Sequence, residues 1–382
     1  MIRCNSFCVA QNGDGAAKAA RRIDRYRREV VEEKGLGPGG EWSALALAIE
    51  GDGLPMVHGF EGYEYSRAEL RAGKIEATRD PLGTRPLYVD KAGRWVASDH
   101  RYFVGEGFQL LPPGTTVEMP GARVTSGRLS VGGFEGTLDE AAGRLATLIR
   151  DAVRDRVSGR RRVAVSFSGG LDSSILARCA SSFAKVLACS VSTRESPDAR
   201  TAEETANELD LEYSHASFEK GGLREAERKL DLPFVPGAMD RGLWCIYSEA
   251  SRLAAVGGAE MIMLGQLADE LFGGYSKYER ELASVGPQAA AGMMLNDVRG
   301  CGMRGFVRDE LACSRWIEPS FPFADRMVAA FGLSLPIEMK ISGGVRKAVL
   351  RRAALKLGLP EEIALRRKKA AQYSSGVLKV LS

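Results

Sequence analysis

The sequence lacks long apolar runs and holds few of the residues that build metal or disulfide sites. No uninterrupted apolar stretch approaches the roughly 18–20 residues that span a bilayer, so no membrane helix is predicted. The three histidines lie far apart, and none of the seven cysteines forms a C-x-x-C pair, which argues against zinc or dithiol chemistry. We therefore expect buried, reduced thiols. The amino terminus has no apolar secretory core, and a cytoplasmic protein is predicted.

Charge of one sign is also scarce. The 53 Lys and Arg residues against 49 Asp and Glu leave a net charge of +4, too small to indicate a nucleic-acid or membrane partner. Glycine, in contrast, is abundant: 44 of 382 residues, where usage of roughly 7% would give about 27. This excess indicates tight turns, or backbone that approaches a ligand closely.

The hydrophobic pattern changes along the chain and predicts two domains. Residues 1–135 begin with an amphipathic helix at 16–34, continue as short strands and end in a glycine-rich linker at 121–136. Their strands are predicted at 42–49, 74–78, 86–89, 94–97 and 115–119. Residues 136–382 alternate between helices and strands, which predicts an α/β domain with a parallel sheet. We place its helices at 138–157, 173–183, 198–209 and 239–256, and its strands at 162–167, 186–191, 212–216 and 260–264.

A turn directly after the strand at 162–167 carries the strongest chemical signal. Its two glycines let the backbone turn tightly and aim N–H groups inward. The following helix offers unbonded N–H groups and a positive dipole end, which together bind phosphate. Serine hydroxyls add donors, and Asp172 can hold a magnesium ion against the phosphates. The residues of this turn are Ser168, Gly169, Gly170, Leu171, Asp172, Ser173 and Ser174.

This turn resembles the pyrophosphate loop of the PP-loop ATP pyrophosphatases (adenine nucleotide α-hydrolase-like), which cleave ATP between the α and β phosphates. A second stretch, Gly265 to Tyr275 (GQLADELFGGY), resembles the second signature of asparagine synthetases, usually GEGxDELFGGY. The resemblance implies that Asp269 joins Asp172 in one magnesium site. It further implies an ATP and pyrophosphate site formed by the turn together with Phe167, Val191, Leu264 and Gly265.

The same resemblance suggests which residues take part in catalysis. The basic segment 366–373 is similar to the C-terminal Arg-x-Lys segment, whose lysine faces the phosphates, and Lys368 is our first choice and Lys369 the second. A cation there would stabilise the charge of the transition state. Glu270 belongs to the second signature. Gln266 stands where many members carry a glutamate that helps to deprotonate the attacking amine, and an amide cannot accept a proton at neutral pH.

Residues 79–88, 97–99 and 111–114 resemble the later hairpins of the glutaminase domain, an Ntn-hydrolase fold in which an amino-terminal cysteine is the nucleophile. Ile2 follows Met1 here, and Cys4 has no free α-amine unless three residues are removed. We therefore expect a shortened, degenerate Ntn-hydrolase-like domain without glutaminase activity. The predicted fold is this β-rich domain followed by a parallel-sheet PP-loop domain of the α/β class.

The implied activity is that of an asparagine synthetase-like ligase that uses ATP and Mg²⁺. It would adenylate a carboxylate, first of all the aspartate side chain, and ammonia from solution or a separate glutaminase would then form the amide. Two alternatives stay open: a ligase that uses a substrate amine, as β-lactam synthetases do, and a non-catalytic nucleotide-binding regulatory protein. A homodimer is compatible with the sequence, and no nucleic-acid or membrane partner is expected.

Overall fold

The computed structural model describes residues 2–4, 6–10, 44–48, 56–60, 64–71, 74–93, 95–103, 107–119, 123–127, 129, 131–193, 196, 198–218 and 220–366. The predicted helix at 16–34 and the two lysines Lys368 and Lys369 lie outside these residues. The chain forms two compact units. The first comprises Met1–Leu129 and Cys301–Val307, and the second comprises Ser130–Gly300 and Arg308–Ser382.

The first unit is built from β-strands, as the sequence pattern predicts. One sheet has the strand order β1-β4-β5-β6-β10-β11, and the other has the order β3-β2-β8-β7-β9. The strands are β1 Ile2–Cys4, β2 Ser6–Ala10, β3 Ala44–Ala48, β4 Met56–Phe60, β5 Glu64–Arg71, β6 Lys74–Arg79, β7 Tyr88–Asp90, β8 Trp95–Ala97, β9 Phe108–Leu110, β10 Thr115–Met119 and β11 Arg123–Ser126. Strand β11 corrects one expectation. It lies inside the predicted linker at 121–136 because its backbone pairs with β10.

A buried arginine organises the turn that follows β6. The guanidinium of Arg79 donates hydrogen bonds to four carbonyl oxygens, at 2.6–2.8 Å, which belong to Gly83, Arg85, Leu111 and Gly302. Burial lowers the pKa of Arg79 to about 10. Removing a buried donor leaves its acceptors unsatisfied, at a cost of about 1–3 kcal/mol for each group. Arg79 therefore has a structural role in residues 79–88, one of the stretches that resemble the glutaminase domain.

The second unit contains a five-stranded sheet with the order β14-β13-β12-β15-β16, in which all neighbouring strands are parallel. This confirms the predicted α/β class. Its strands are β12 Arg162–Ser166, β13 Lys185–Thr193, β14 Glu212–Phe218, β15 Ile262–Met263 and β16 Pro319–Ser320, and a separate hairpin pairs β17 Ile341–Ser342 with β18 Val345–Arg346. Strand β13 is buried over eight of its nine residues, as expected for a strand covered on both faces.

The described helices connect and cover these strands. They are α1 Leu138–Val157, α2 Leu171–Ala180, α3 Asp198–Glu208, α4 Lys220–Arg228, α5 Ala238–Val256, α6 Ala268–Phe272, α7 Ser276–Ser284, α8 Pro287–Met303, α9 Gly305–Cys313, α10 Arg326–Ser334, α11 Ile337–Lys340, α12 Ala348–Lys356 and α13 Glu361–Leu365. Helix α1 begins with a capping box between Thr137 and Glu140, which stabilises its first turn. None of the described helices has the length and apolar character needed to cross a membrane.

Five of the seven cysteines have side chains that the structure describes, and these are buried, free thiols, in agreement with the expectation from their spacing. They are Cys179, Cys189, Cys245, Cys301 and Cys313. Burial raises the pKa of Cys179, Cys189 and Cys245 to about 12. At neutral pH these thiols carry no charge and are poor nucleophiles.

Candidate functional site

The two signature stretches follow neighbouring strands of the parallel sheet. Strand β12 pairs with β15 through Ala164↔Ile262 and Val165↔Met263, so both chains leave the sheet at the same edge. In open α/β sheets ligands bind beyond the carboxyl ends of the strands. The strand order therefore places the two signatures side by side at the edge where a nucleotide is expected.

The turn after β12 is braced by its own serines. Gly170 N donates to Ser168 Oγ at 3.4 Å, and Ser173 Oγ donates to Gly170 O at 3.2 Å. Helix α2 starts at Leu171, two residues earlier than predicted, so Asp172 lies in its first turn. Ser174 is fully buried, and its hydroxyl has no hydrogen-bond partner among the described residues. The hydrogen bonds that Ser168 and Ser173 form with Gly170 thus help to fix the shape of the turn.

Gly169 allows a close approach between this turn and helix α3. Its φ is +67°, and an added Cβ would lie 2.8 Å from Thr201 O and 3.0 Å from Ala202 Cα. Only glycine meets both requirements at low cost. The Gly169 carbonyl accepts a hydrogen bond from Arg366 Nη1 at 3.0 Å, and the same nitrogen donates to Thr205 Oγ1 at 2.7 Å. Arg366, the first residue of the basic segment, therefore lies against the turn after β12.

The second signature holds Asp269 through a strained backbone and a glycine. Leu267, which caps α6, has a φ of +76°, a left-handed conformation that costs a non-glycine residue about 1–3 kcal/mol. A Cβ on Gly274 would collide with Asp269 Oδ1 and would lie 2.5 Å from Lys347 Cε. The Gly-Gly pair of the signature thus makes room for a contact between Asp269 and Lys347.

Lys347 brings the two signature aspartates together. Its Nζ lies 2.6 Å from both carboxylate oxygens of Asp172 and 2.7 Å from Asp269 Oδ1. The lysine is buried, and its backbone is left-handed, with a φ of +60°. Burial alone would lower the pKa of Lys347, but the charges of Asp172 and Asp269 outweigh it and raise this pKa above its usual range. The ammonium group is therefore charged across the physiological pH range.

Sequence reasoning did not single out Lys347. The lysine follows the β17–β18 hairpin, and only the fold brings it to the carboxyl ends of β12 and β15. The signal that could have found it is the Gly343-Gly344 turn, followed by a lysine at the start of a helix. One turn further along this helix, Arg351 donates to the carbonyls of Arg346 at 2.9 Å and Arg366 at 3.0 Å. Arg351 thus ties the hairpin that carries Lys347 to the start of the basic segment.

The remaining predicted site residues occupy different environments. Phe167, Leu171, Val191 and Leu264 are buried, and Gln266 and Gly265 are half-buried. Glu270 is buried and accepts a hydrogen bond from Tyr275 Oη at 2.7 Å. A Cβ on Gly265 would lie 3.2 Å from Asp172 Cβ, which shows how closely the two signatures pack.

A buried charged group lies near Glu270. Arg308 Nε donates to Asp309 Oδ1 at 2.7 Å, and Arg308 Nη1 donates to Asp240 Oδ1 at 3.1 Å. Asp309 is completely buried, and its Oδ2 has no hydrogen-bond partner among the described residues. Burial raises the pKa of Asp309 to about 6, although Arg308 opposes the shift and Glu270 adds to it.

The donor set at Lys347 suits a cation bound with phosphate. Two carboxylates converge on one point, and that point already holds a positive ammonium group. Oxygen ligands of this type are those that Mg²⁺ prefers, and it is commonly held by one or two carboxylates together with phosphate oxygens. The described residues contain no group of three or more His, Cys, Asp or Glu that could hold a metal ion by themselves. Asp172 and Asp269 thus fit a metal that arrives with a phosphate ligand.

Comparison with known proteins agrees with the two signatures. A family model described as "Asparagine synthase" matches residues 144–304 and 285–380. A predicted asparagine synthetase (glutamine-hydrolyzing) of Methanocaldococcus jannaschii is 31% identical over 287 residues, which are 65% of this chain and 52% of that protein. The asparagine synthetase of Asparagus officinalis is 25% identical over 393 residues and covers 93% of this chain and 64% of its own length.

The chain spans about half the length of the first relatives that it matches, 52% of the archaeal protein and 45% of the chicken asparagine synthetase. Among solved structures, NMN synthetase from Francisella tularensis shows 11% sequence identity and a TM-score of 0.32, over 62% of this chain and 77% of that one. The resemblance noted in the two signatures is confirmed at the level of the family.

Proposed function

Because the chain belongs to the asparagine synthase family, we propose that it is an ATP-dependent amide ligase that adenylates a carboxylate and then transfers the acyl group to ammonia. The first candidate for the carboxylate is the side chain of aspartate. The observation that carries this proposal is the convergence of Asp172, Asp269 and Lys347 at the turn after β12. These are the groups that a polyphosphate and its metal require.

In the proposed reaction a carboxylate oxygen attacks the α phosphorus of ATP, and pyrophosphate leaves. Ammonia then attacks the acyl carbon, AMP departs, and the nitrogen loses a proton. A magnesium ion held by Asp172 and Asp269 would neutralise charge on the departing pyrophosphate. Arg366 fixes the turn, and Lys347 supplies a positive charge next to it. Catalysis in this scheme rests on positioning and on electrostatic stabilisation.

Lys368 is proposed as a second cation that faces the phosphates. It follows Arg366 by two positions in the sequence, and Arg366 contacts the turn directly. Glu270 and Gln266 are proposed to line the carboxylate or amine site, since both belong to the stretch that holds Asp269. Because the Gln266 amide cannot accept a proton, a substrate amine or ammonia must lose its proton to another group or to water.

The proposal includes the loss of glutaminase activity in the first unit. Cys4 ends strand β1, and three residues precede it in the chain, so its nitrogen lies in a peptide bond and is not a free α-amine that could act as the base for its thiol. Ammonia would then come from solution or from a separate glutaminase.

The test is pyrophosphate release from MgATP across a panel of amino-acid and other carboxylates, each with ammonium, with glutamine and with no nitrogen source. We expect release with aspartate plus ammonium, and none above background with glutamine alone. Turnover with glutamine that Cys4→Ala removes would contradict the loss of glutaminase activity. Release that needs a carboxylate bearing its own amine, and no ammonium, would favour the β-lactam-synthetase-like alternative. No release with any carboxylate would contradict the ligase proposal.

A further inference from the structure

We propose that Lys347 occupies the place of the metal between Asp172 and Asp269 in the nucleotide-free protein, so that a divalent cation enters this site only together with the nucleotide. This inference rests on the proposed function and concerns the order in which the same site is filled. It is carried by the contacts of one ammonium group with two carboxylates that come from different signatures.

Lysine and metal compete for the same oxygens. The Nζ of Lys347 lies within 2.7 Å of three carboxylate oxygens, and Mg²⁺ needs the same oxygens at about 2.0–2.1 Å. A metal ion at the position between the two aspartates would take the place of the ammonium group, and the two positive charges would repel each other. The ammonium group must therefore move before a metal can take the position between the two aspartates.

The surroundings of Lys347 stabilise the lysine-bound arrangement. Its side chain is buried, Gly274 packs against it, and both carboxylates contact its ammonium group. Breaking a buried ion pair without a replacement is strongly unfavourable, because it leaves an uncompensated charge. Free metal would have to supply this energy with only two carboxylates as protein ligands, since no larger group of ligating side chains occurs among the described residues.

A nucleotide removes both obstacles at once. Its phosphate oxygens complete the coordination of the metal, and they also give the displaced ammonium group a new anionic partner. The free energy of this exchange appears as coupling between metal and nucleotide, and coupling of this kind is reciprocal. Each ligand should therefore raise the affinity for the other, and Lys347 should supply much of the effect.

The probe is Mn²⁺, whose binding to the full chain is measured by electron paramagnetic resonance with and without α,β-methylene-ATP, which cannot be cleaved at the reacting bond. For wild type we expect weak binding of Mn²⁺ alone and at least tenfold tighter binding with the nucleotide analogue. Lys347→Met should bind Mn²⁺ alone at least tenfold more tightly than wild type, and the analogue should improve its binding less. Lys356→Met is the matched control: it removes a partly exposed lysine of the same helix α12, paired with Asp139 at 2.9 Å, and should behave as wild type.

Wild type that binds Mn²⁺ without nucleotide as tightly as Lys347→Met would overturn the inference. Equal tightening by the analogue in both proteins would overturn it as well. If Lys347→Met does not fold, Lys347→Gln takes its place. Tight binding of Mn²⁺ to wild type in the absence of nucleotide would overturn the inference even without a variant. The readout is metal affinity, not turnover. A protein that shows the expected metal pattern but adenylates no carboxylate contradicts only the proposed function.

Discussion

The ammonium group of Lys347 contacts both carboxylate oxygens of Asp172 at 2.6 Å, although 175 positions separate the two residues in the chain. The contact closes a site whose parts come from the turn after β12, the signature after β15 and the hairpin β17–β18. It also sets the charge of the site. Two carboxylates and one lysine leave a net charge of −1.

The two aspartates are predicted to be equally necessary. Asp172→Asn and Asp269→Asn each remove one negative charge and one of the two proposed carboxylate ligands of the metal. Each should therefore abolish pyrophosphate release while the fold persists. Release is measured with MgATP and the best carboxylate, and folding by thermal unfolding. Asp139→Asn is the control, because this exposed aspartate pairs with Arg352 and Lys356 at the surface. Turnover within tenfold of wild type in either site variant would show that the pair does not hold the metal.

Lys368→Ala should lower kcat with little change in the KM for ATP, the pattern expected when a transition-state interaction is lost. Loss of one such electrostatic group typically costs ~10²–10³ in rate. Lys369→Ala is made in parallel, because the two lysines are adjacent in the sequence. A large loss only at Lys369 would transfer the role to that residue. Near-normal rates in both variants would show that neither lysine faces the phosphates.

Arg366→Ala should weaken ATP binding more than it slows the chemical step. The guanidinium fixes the Gly169 carbonyl and Thr205, and a hydrogen bond from a charged group contributes about 1.5–3 kcal/mol, or roughly 10- to 100-fold in affinity. Added guanidinium should restore part of the loss. Thr205→Val removes only one of the two contacts and should have a smaller effect. Equal ATP affinity in wild type and Arg366→Ala, measured by calorimetry, would contradict this role.

Asp309 predicts a specific pH dependence of stability. Burial raises its pKa in the folded protein to about 6, from the ordinary aspartate value of 3.8, so the folded state binds the proton more tightly than the unfolded state does. The proton on Asp309 therefore stabilises the folded state. This contribution to the free energy of unfolding is complete below pH 3.8 and is lost as the pH rises through 6. Asp309→Asn should therefore gain stability relative to wild type between pH 4 and pH 7, by up to a few kcal/mol. Urea unfolding at several pH values measures the difference, and a pH-independent difference would contradict the prediction.

Much of the second unit could be predicted from sequence, because its buried strands are short apolar runs between helices of clear periodicity. Strand β14 begins at the predicted residue, and helix α3 ends one residue before its prediction. The meeting of the two signatures also followed from general topology, since parallel neighbours end at the same edge. Lys347 could not be found in this way, because its position depends on how a hairpin far along the chain packs.

Strand β5 of the first unit shows why other elements escaped prediction. Its buried positions include Glu64 and Glu69, which reverses the usual pattern of apolar residues inside. The carboxylate of Glu64 lies 3.4 Å from the guanidinium of Arg85, and that of Glu69 lies 2.7 Å from Arg67. Paired charges can be buried where single charges cannot, and hydropathy alone does not reveal the pairing.

The most direct test of the account follows oxygen from the carboxylate to the nucleotide. If a carboxylate attacks the α phosphorus and ammonia then displaces AMP, one carboxylate oxygen must remain on AMP. The reaction is run with MgATP, ammonium and aspartate labelled with ¹⁸O in its side-chain carboxylate, or with whichever labelled carboxylate supports turnover, and AMP is analysed by mass spectrometry. We predict one ¹⁸O atom in each AMP formed. Unlabelled AMP, or products that are ADP and phosphate, would contradict the adenylation on which the account depends.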